Sequence, residues 1–384
     1  MLILVLNPGS SSLKYQLRRL GPSDAAPGIL LERAIDPQEG RLDSVLLGNV
    51  FDEVDAAIRD ITGRDRPDAI GLRVVHGGDR FSSPVGVNQT VMDAIQELGE
   101  FAPLHNAASV ACMRAAAARW PRTPQVAVFD TAFHRTIPDH ASRYAVPEEL
   151  YTKYGIKRYG FHGISVEMVC RDTGTYLGVP PGSLNAVVAH LGNGASVTAV
   201  REGRSVDTSM GMTPLEGLVM GTRSGDLDPS IVTLLQRRGL GADEVDELLN
   251  HRAGLLGLAG SADMRAIQDA ARHGDTRAIL ASDMAAYRLA KYIAAYNMVV
   301  GGAAALVLTG GIGEHSSRFR SHVISRLEPL GLFIDEVRNR SAETGVRVIS
   351  TDASAFPVLV VPSDEERAIA EATAAVVLSD ESAI

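Results

Sequence analysis

Two short glycine turns, each entered from an apolar run, carry the side chains best suited to phosphate chemistry. The first runs from Asn7 to Lys14 and packs hydroxyls, a glycine and a lysine into eight residues. Phosphate binding asks for closely approaching backbone amides, hydroxyl donors such as Ser10 and Ser12, and a cation at the rim such as Lys14. The Gly-x4-Gly-Lys-Ser/Thr spacing of a P-loop is absent, and a strand rather than a helix follows. The second turn, His190-Leu191-Gly192-Asn193-Gly194, has a similar build. Taken alone, either turn reads as readily as an ordinary hairpin connection.

Single charged residues elsewhere fit the same chemistry. Arg223 stands among Gly221, Gly225, Asp226 and Asp228, where a fixed guanidinium could meet a transferring phosphoryl group, or could simply pair with one of the aspartates. Arg73 follows the apolar stretch Ala69–Leu72 and could hold a carboxylate at a strand end, or make a structural ion pair. Asp130 ends another apolar run, the place where ligands sit in open α/β sheets, and an N-cap role is its alternative. His162 lies between Gly160 and Gly163, which allow close approach to a ligand; a core histidine is the plain reading. Glu365 falls in the first turn of a helix, near a metal or as a helix-dipole acid. The ten histidines show no HxxxH pairing, so no transition-metal site is expected.

The elements that position these groups alternate in kind. Leu2–Leu6 is a continuous apolar strand, and Leu13, Tyr15 and Leu17 alternate with polar residues after the turn. Val187–Val200 repeats the pattern: at an offset of 185 residues Leu6 meets Leu191, Gly9 meets Gly194 and Ser11 meets Ser196. This suggests two related domains. Val126–Phe129 leads into Asp130, Ala305–Thr309 into Gly310-Gly311, and Val358–Val361 into a helix capped by Ser363 with Glu366 as its capping-box partner. Ala278–Val300, alanine-rich at helical spacing, is expected as a long packed helix. Surface loops are expected at Pro22–Pro27 and Arg64–Pro67.

Composition narrows the setting. A chain of 384 residues calls for two or three domains, and 45% apolar with 22% charged residues is the mix of a globular protein. The net charge of −9 disfavours nucleic acid as a partner. Cys112 and Cys170 lack CxxC spacing, which fits a reducing cytoplasm. No signal peptide or membrane span is expected: Leu2–Leu6 is too short, and Ala294–Thr309 is broken by Asn297 and Gly301-Gly302.

Together these segments resemble the acetate kinase family over essentially the whole chain. The carriers are VLNPGSSSLKY, RVVHGG, APLHN, VFDTAFH, YGFHG, AHLGNGAS, DTSMGMTPLEGLVMGTRSGDLDP, SADMR, GGIGEHS and DEERAIA, in the family's order. The resemblance implies an α/β, duplicated two-domain ribonuclease H-like fold, similar to sugar kinases, heat-shock chaperone ATPases and actin, with the active site in the interdomain cleft. Domains are expected at 1–140 plus a returning 366–384, and at 141–365. It implies reversible transfer of the ATP γ-phosphoryl group to acetate, giving acetyl phosphate and ADP, with Mg²⁺ (or Mn²⁺) held by Asn7 and Glu365. ATP would contact Lys14, His190–Gly194, Asp263, Met264, Arg265 and Gly311, Ile312, Gly313, Glu314 and His315. Arg73 would bind the substrate carboxylate, Val75, Leu104, Phe161 and Pro214 would line the acyl pocket, and Asp130, His162 and Arg223 would be catalytic. A homodimer is also implied. A propionate or other short-acyl kinase is the nearer alternative, and a non-metabolic ATPase of the same fold the more remote one.

Some positions depart from the family pattern. Leu72 replaces the usual histidine before the motif arginine, Ile164 and Val166 alter the FHGTSH string, and His315 ends GGIGE. None removes a charged catalytic group. Acetate is already ionised at neutral pH and needs no general base, so Asp130 is expected to order metal-bound water or align an arginine rather than carry a proton.

Overall fold

Leu2–Pro8 is a central strand because its apolar run can be buried on both faces at once. Leu4 and Leu6 pack with Phe51, Val54 and Ile58 of the helix Ser44–Thr62 and with Met113 and Ala116 of the helix Pro103–Arg119. Ile3 and Val5 point the other way, onto Ile369, Ala370 and Val377 of the helix Glu365–Glu381. The computed structural model describes residues 1–9, 12–21, 28–35, 42–100 and 102–381. Ser10, Ser11 and the expected loop at 22–27 therefore lie outside the described residues, as does the side chain of Leu104.

The chain divides into two compact units. The first comprises Met1–Arg135, Gly163–Ser165 and Asp364–Ile384; the second comprises Thr136–His162 and Val166–Ser363. In the first, β1 (Leu2–Pro8), β2 (Leu13–Arg19), β3 (Gly28–Ile35), β4 (Ala69–Val74), β5 (Val85–Gly86) and β6 (Gln125–Phe129) form one sheet in the order β3-β2-β1-β4-β6-β5. In the second, β7 (Ala186–Leu191), β8 (Ala195–Arg201), β9 (Arg204–Thr208), β10 (Ala305–Thr309), β11 (Arg347–Val348) and β12 (Val358–Val360) are ordered β11-β12-β10-β7-β8-β9.

Read from the opposite edge, the second order matches the first strand for strand. β1-β2-β3 and β7-β8-β9 are antiparallel meanders, while β4 and β6, like β10 and β12, add in parallel. The repeat seen in the sequence is thus a repeat of topology. The fixed offset of 185 fails in detail, however. Leu6 pairs with Tyr15 and Leu191 with Ala195, and those partners are 180 residues apart, because the first turn is longer and its strands extend further.

The helix Thr276–Val299 forms where the alanine-rich pattern predicts it, capped by Asp275 and packed on β7 and β8. Among the described residues no helix is long and apolar enough to cross a membrane. Two local expectations need correction. β2 alternates in sequence but not in burial: Gln16 and Arg18 are buried too, with Arg18 bonded to Gln16 (2.5 Å) and to Asp364 (2.6 Å). The partners supplied by neighbouring chain segments make that burial affordable. The C-terminal helix is capped by Asp364, which accepts the Arg367 N–H (2.9 Å), not by Ser363. Ser363 bonds instead to the Glu314 carboxylate through its N–H (2.9 Å) and hydroxyl (2.8 Å).

Candidate active site

In the first unit, β1, β4, β6 and the N-terminus of the helix Glu365–Glu381 bring one arginine among several carboxylates. Arg73, on β4, donates to Asp130 Oδ2 through Nε (3.1 Å) and Nη2 (2.5 Å). Its Nη1 reaches Asn7 Oδ1 at a longer 3.3 Å. Asn7 in turn donates to Glu366 (2.9 Å) and Glu365 (3.5 Å). Burial works against the Arg73 charge, but Asp130, Glu365 and Glu366 outweigh it and hold the guanidinium firmly protonated. Burial pushes the Glu365 carboxyl above its usual range; Arg73 opposes this, while Asp130 and Glu366 add to it. Lys14 lies opposite Asn7 in the β1–β2 ladder, so its charge falls on this acidic group and lowers the Glu365 value. Ser12 is a partly buried turn residue whose carbonyl accepts the Gly9 N–H (2.7 Å).

Asp130 is 1% exposed, yet its Oδ1 has no hydrogen-bond partner among the described residues. An orphaned buried carboxylate oxygen beside Glu365 and Asn7 is a hard-oxygen donor set that suits Mg²⁺. No group of three or more His, Cys, Asp or Glu side chains among the described residues could by itself hold a metal. Such an ion therefore needs water and phosphate oxygens to complete its shell, the usual habit of Mg²⁺. Glu366 is the member of this centre that the sequence did not single out, because the capping-box pattern offered a sufficient explanation for it.

In the second unit the glycine-rich turn between β7 and β8 faces Arg223 and His162. A Cβ placed on Gly194 would lie 3.4 Å from Arg223 Nη1 and 3.5 Å from His162 Nε2, within ordinary contact, so both side chains point at this glycine. His162 stacks on His190, with ring centroids 4.3 Å apart and planes 19° off parallel. Its Nδ1 is paired with Ser196 Oγ (2.9 Å), which sets the ring's orientation. The backbone of His162 is left-handed (φ 60°), one of two such non-glycine residues among those described. That conformation is strained for an L-residue and lets the chain turn sharply before the helix Gly163–Leu177. Arg223 Nη1 donates to the Pro214 carbonyl (3.3 Å). Of the nearby carboxylates, Asp226 accepts from Gly217 N–H and Tyr292 O–H, and Asp228 accepts from Ser230 N–H.

Beside this turn the second unit holds a cavity of about 740 Å³. Gly192, Asn193, Asp263, Met264, Arg265, Gly311, Ile312 and His315 all line it, so three segments far apart in sequence meet at one site. Its volume is that of a small-molecule site. Gln268, Arg272, Ser316 and Arg318 line it as well; their polar helical context gave no signal in the sequence. Leu191 is buried and lines a smaller neighbouring void. Gly313 and Glu314 are not among its lining residues: their carbonyls accept from the buried Arg320, and the Glu314 carboxylate holds Ser363. Of the expected acyl-pocket residues, Val75 and Phe161 are 3% and 2% exposed, and Pro214 is partly buried.

Comparisons with known proteins agree with one another. The acetokinase family model matches residues 2–371. An acetate kinase of Arthrobacter sp. (strain FB24) is 55% identical, covering 99% of this chain and 100% of its own. One from Streptomyces coelicolor is 47% identical, covering 98% and 97%. Among solved structures, the acetate kinase of Porphyromonas gingivalis is 37% identical with a TM-score of 0.87, and covers 98% of this chain and 99% of its own. A propionate kinase from Francisella tularensis is 38% identical with the same TM-score and coverage.

Proposed function

The chain belongs to the acetokinase family and is a kinase with a carboxylate acceptor, and we propose that it transfers the ATP γ-phosphoryl group reversibly to acetate by direct in-line displacement. The observation that carries this reading is the convergence of Arg223 and His162 on the open face of Gly194, beside a cavity of nucleotide size. Phosphoryl transfer needs positioning and charge neutralisation more than covalent help, and these groups suit that demand. His162 and Arg223 neutralise the equatorial oxygens of the transferring group, whose charge is most spread in the transition state. The cavity residues Asn193, Asp263, Arg265 and Ile312 hold the nucleotide.

Arg73 binds the acceptor carboxylate. Two of its donors are committed to Asp130, and Nη1, whose bond to Asn7 is long, is the donor it turns to acetate. Asp130 acts by fixing that guanidinium. Acetate arrives ionised, so no proton needs removing. Asn7 and Glu365 would hold Mg²⁺, which when bound supplies positive charge to the phosphate oxygens. Buried free thiols at Cys112 and Cys170 support a reducing, cytoplasmic setting. A homodimer accompanies the reading and is tested by light scattering.

Propionate is the second reading, favoured by the equal likeness to a solved propionate kinase. One methylene is worth about 1–3 kcal/mol in such a site, so the acyl preference is a matter of degree. The test is acyl phosphate trapped as hydroxamate, with kcat/KM for acetate, propionate and butyrate side by side. Acetate is expected to lead. ATP hydrolysis without hydroxamate would reject the kinase reading altogether.

A further inference from the structure

Between the residues assigned to the phosphoryl group lies Ser209–Gly217, a segment with neither helix nor strand. Its backbone bonds directly to Arg223 and to the two residues Tyr159 and Gly160 that lead into His162. The Pro214 carbonyl accepts from Arg223 Nη1 (3.3 Å), and the Gly211 carbonyl accepts the N–H groups of Tyr159 (3.0 Å) and Gly160 (3.2 Å), just before His162. An irregular segment cannot hold such carbonyls in place by its own ladder, so something else must fix it.

That something is a cluster of three side chains. Arg158 donates to Glu216 Oε1 (2.6 Å) and, through Nη1, to the carbonyls of Thr208 (2.9 Å), Ser209 (3.1 Å) and Met210 (3.1 Å). Tyr144 donates to the other Glu216 oxygen and accepts the Met212 N–H (3.1 Å). A side chain on Gly211 would collide with both the Glu216 carboxylate and the Tyr144 hydroxyl, so the pair is built against bare backbone. Burial works against the Arg158 charge, but Glu216 and Tyr144 outweigh it and keep the guanidinium protonated. The cluster thereby grips the segment at four points, the Ser209 and Met210 carbonyls, the Met212 N–H and the Glu216 carboxylate.

We propose that Tyr144, Glu216 and Arg158 are positioning residues for phosphoryl transfer, acting on Arg223 through Pro214 and on His162 through Gly211. The inference rests on the roles given above to Arg223 and His162. Tyr144 and Glu216 also line a cavity of about 520 Å³, so removing the phenol oxygen opens onto existing space instead of leaving a void in a close-packed core.

The test is a double-mutant cycle: Tyr144→Phe and Glu216→Gln, each in the wild-type and the Arg223→Ala backgrounds. In the wild type, Tyr144→Phe is expected to lower kcat about tenfold, the scale of one lost hydrogen bond to a charged group, with both KM values within about twofold. In the Arg223→Ala background the same change should cost under about threefold, because one of the two residues it positions is already gone. Equal losses in both backgrounds would overturn the proposal, and so would a Tyr144→Phe enzyme with unchanged kcat. A Tyr144→Phe chain that does not fold would assign the hydroxyl to stability and overturn it too. Wild-type protein that makes no acyl phosphate would instead refute the kinase reading.

Discussion

The two sheets share one strand plan, yet the groups at their strand ends differ in kind, carboxylates prevailing in one and a guanidinium with imidazoles in the other. At the ends of β1, β4 and β6 the first unit gathers Asp130, Glu365 and Glu366 around a single arginine. At the β7–β8 turn the second unit gathers Arg223 and two stacked imidazoles around a glycine. The scaffold supplies a place, since strand ends and turns at that edge of an open, mixed sheet are open to ligands. It does not supply the chemistry, which comes from a handful of side chains. The difference also separates two kinds of dependence. Arg73 is tied to the buried Asp130 as an ion pair, and Arg223 Nη1 donates to the Pro214 carbonyl of an irregular segment.

That contrast breaks most visibly at Arg73. Arg73→Met strands a buried Asp130 beside Glu365, and chemical unfolding without metal should show a loss of about 3–5 kcal/mol. A loss under about 1 kcal/mol would mean that the acidic centre does not depend on its arginine. Arg223→Ala should do the reverse. Its kcat is expected to fall by about 10²–10³ with little change in the acetate KM, while the melting temperature stays near that of the wild type. An unchanged kcat would remove Arg223 from the transition state.

A smaller effect sharpens the account of the first unit. Asp130→Asn keeps an acceptor for Arg73 but gives up the charge on the unpartnered oxygen. The Mg²⁺ concentration for half-maximal rate should rise about 10–100-fold, the range seen when groups around a metal's direct ligands are altered. No new limb should enter the pH–rate profile. A pKa that vanishes from the kcat profile would instead make Asp130 a proton carrier.

Much of this was legible before any coordinates. β1, β7 and β10 announce themselves because a strand buried on both faces must be a continuous apolar run. The glycine turns, Arg73, Asp130, His162 and Arg223 stand out as charged or glycine-rich breaks at the ends of such runs. Burial of the polar side of β2 was not legible, because Gln16 and Arg18 look solvent-facing until Asp364 is found beside them. Nor was the true cap of the last helix: Ser363 and Asp364 are both good N-cap types, and only the position of Glu314 decides between them.

The sequence alone pointed to two related glycine turns entered from apolar strands and to the family of chemistry, because apolar runs and glycine breaks are local constraints that a chain must write into consecutive residues. Tertiary structure alone decided which groups share a charge: that Asp130 holds Arg73 through one oxygen and leaves the other bare, that Glu366 joins Asn7, and that Tyr144 and Arg158 meet on Glu216. Those pairings join residues tens to hundreds of positions apart. Their energies depend on distance and burial, and neither quantity is written along the chain.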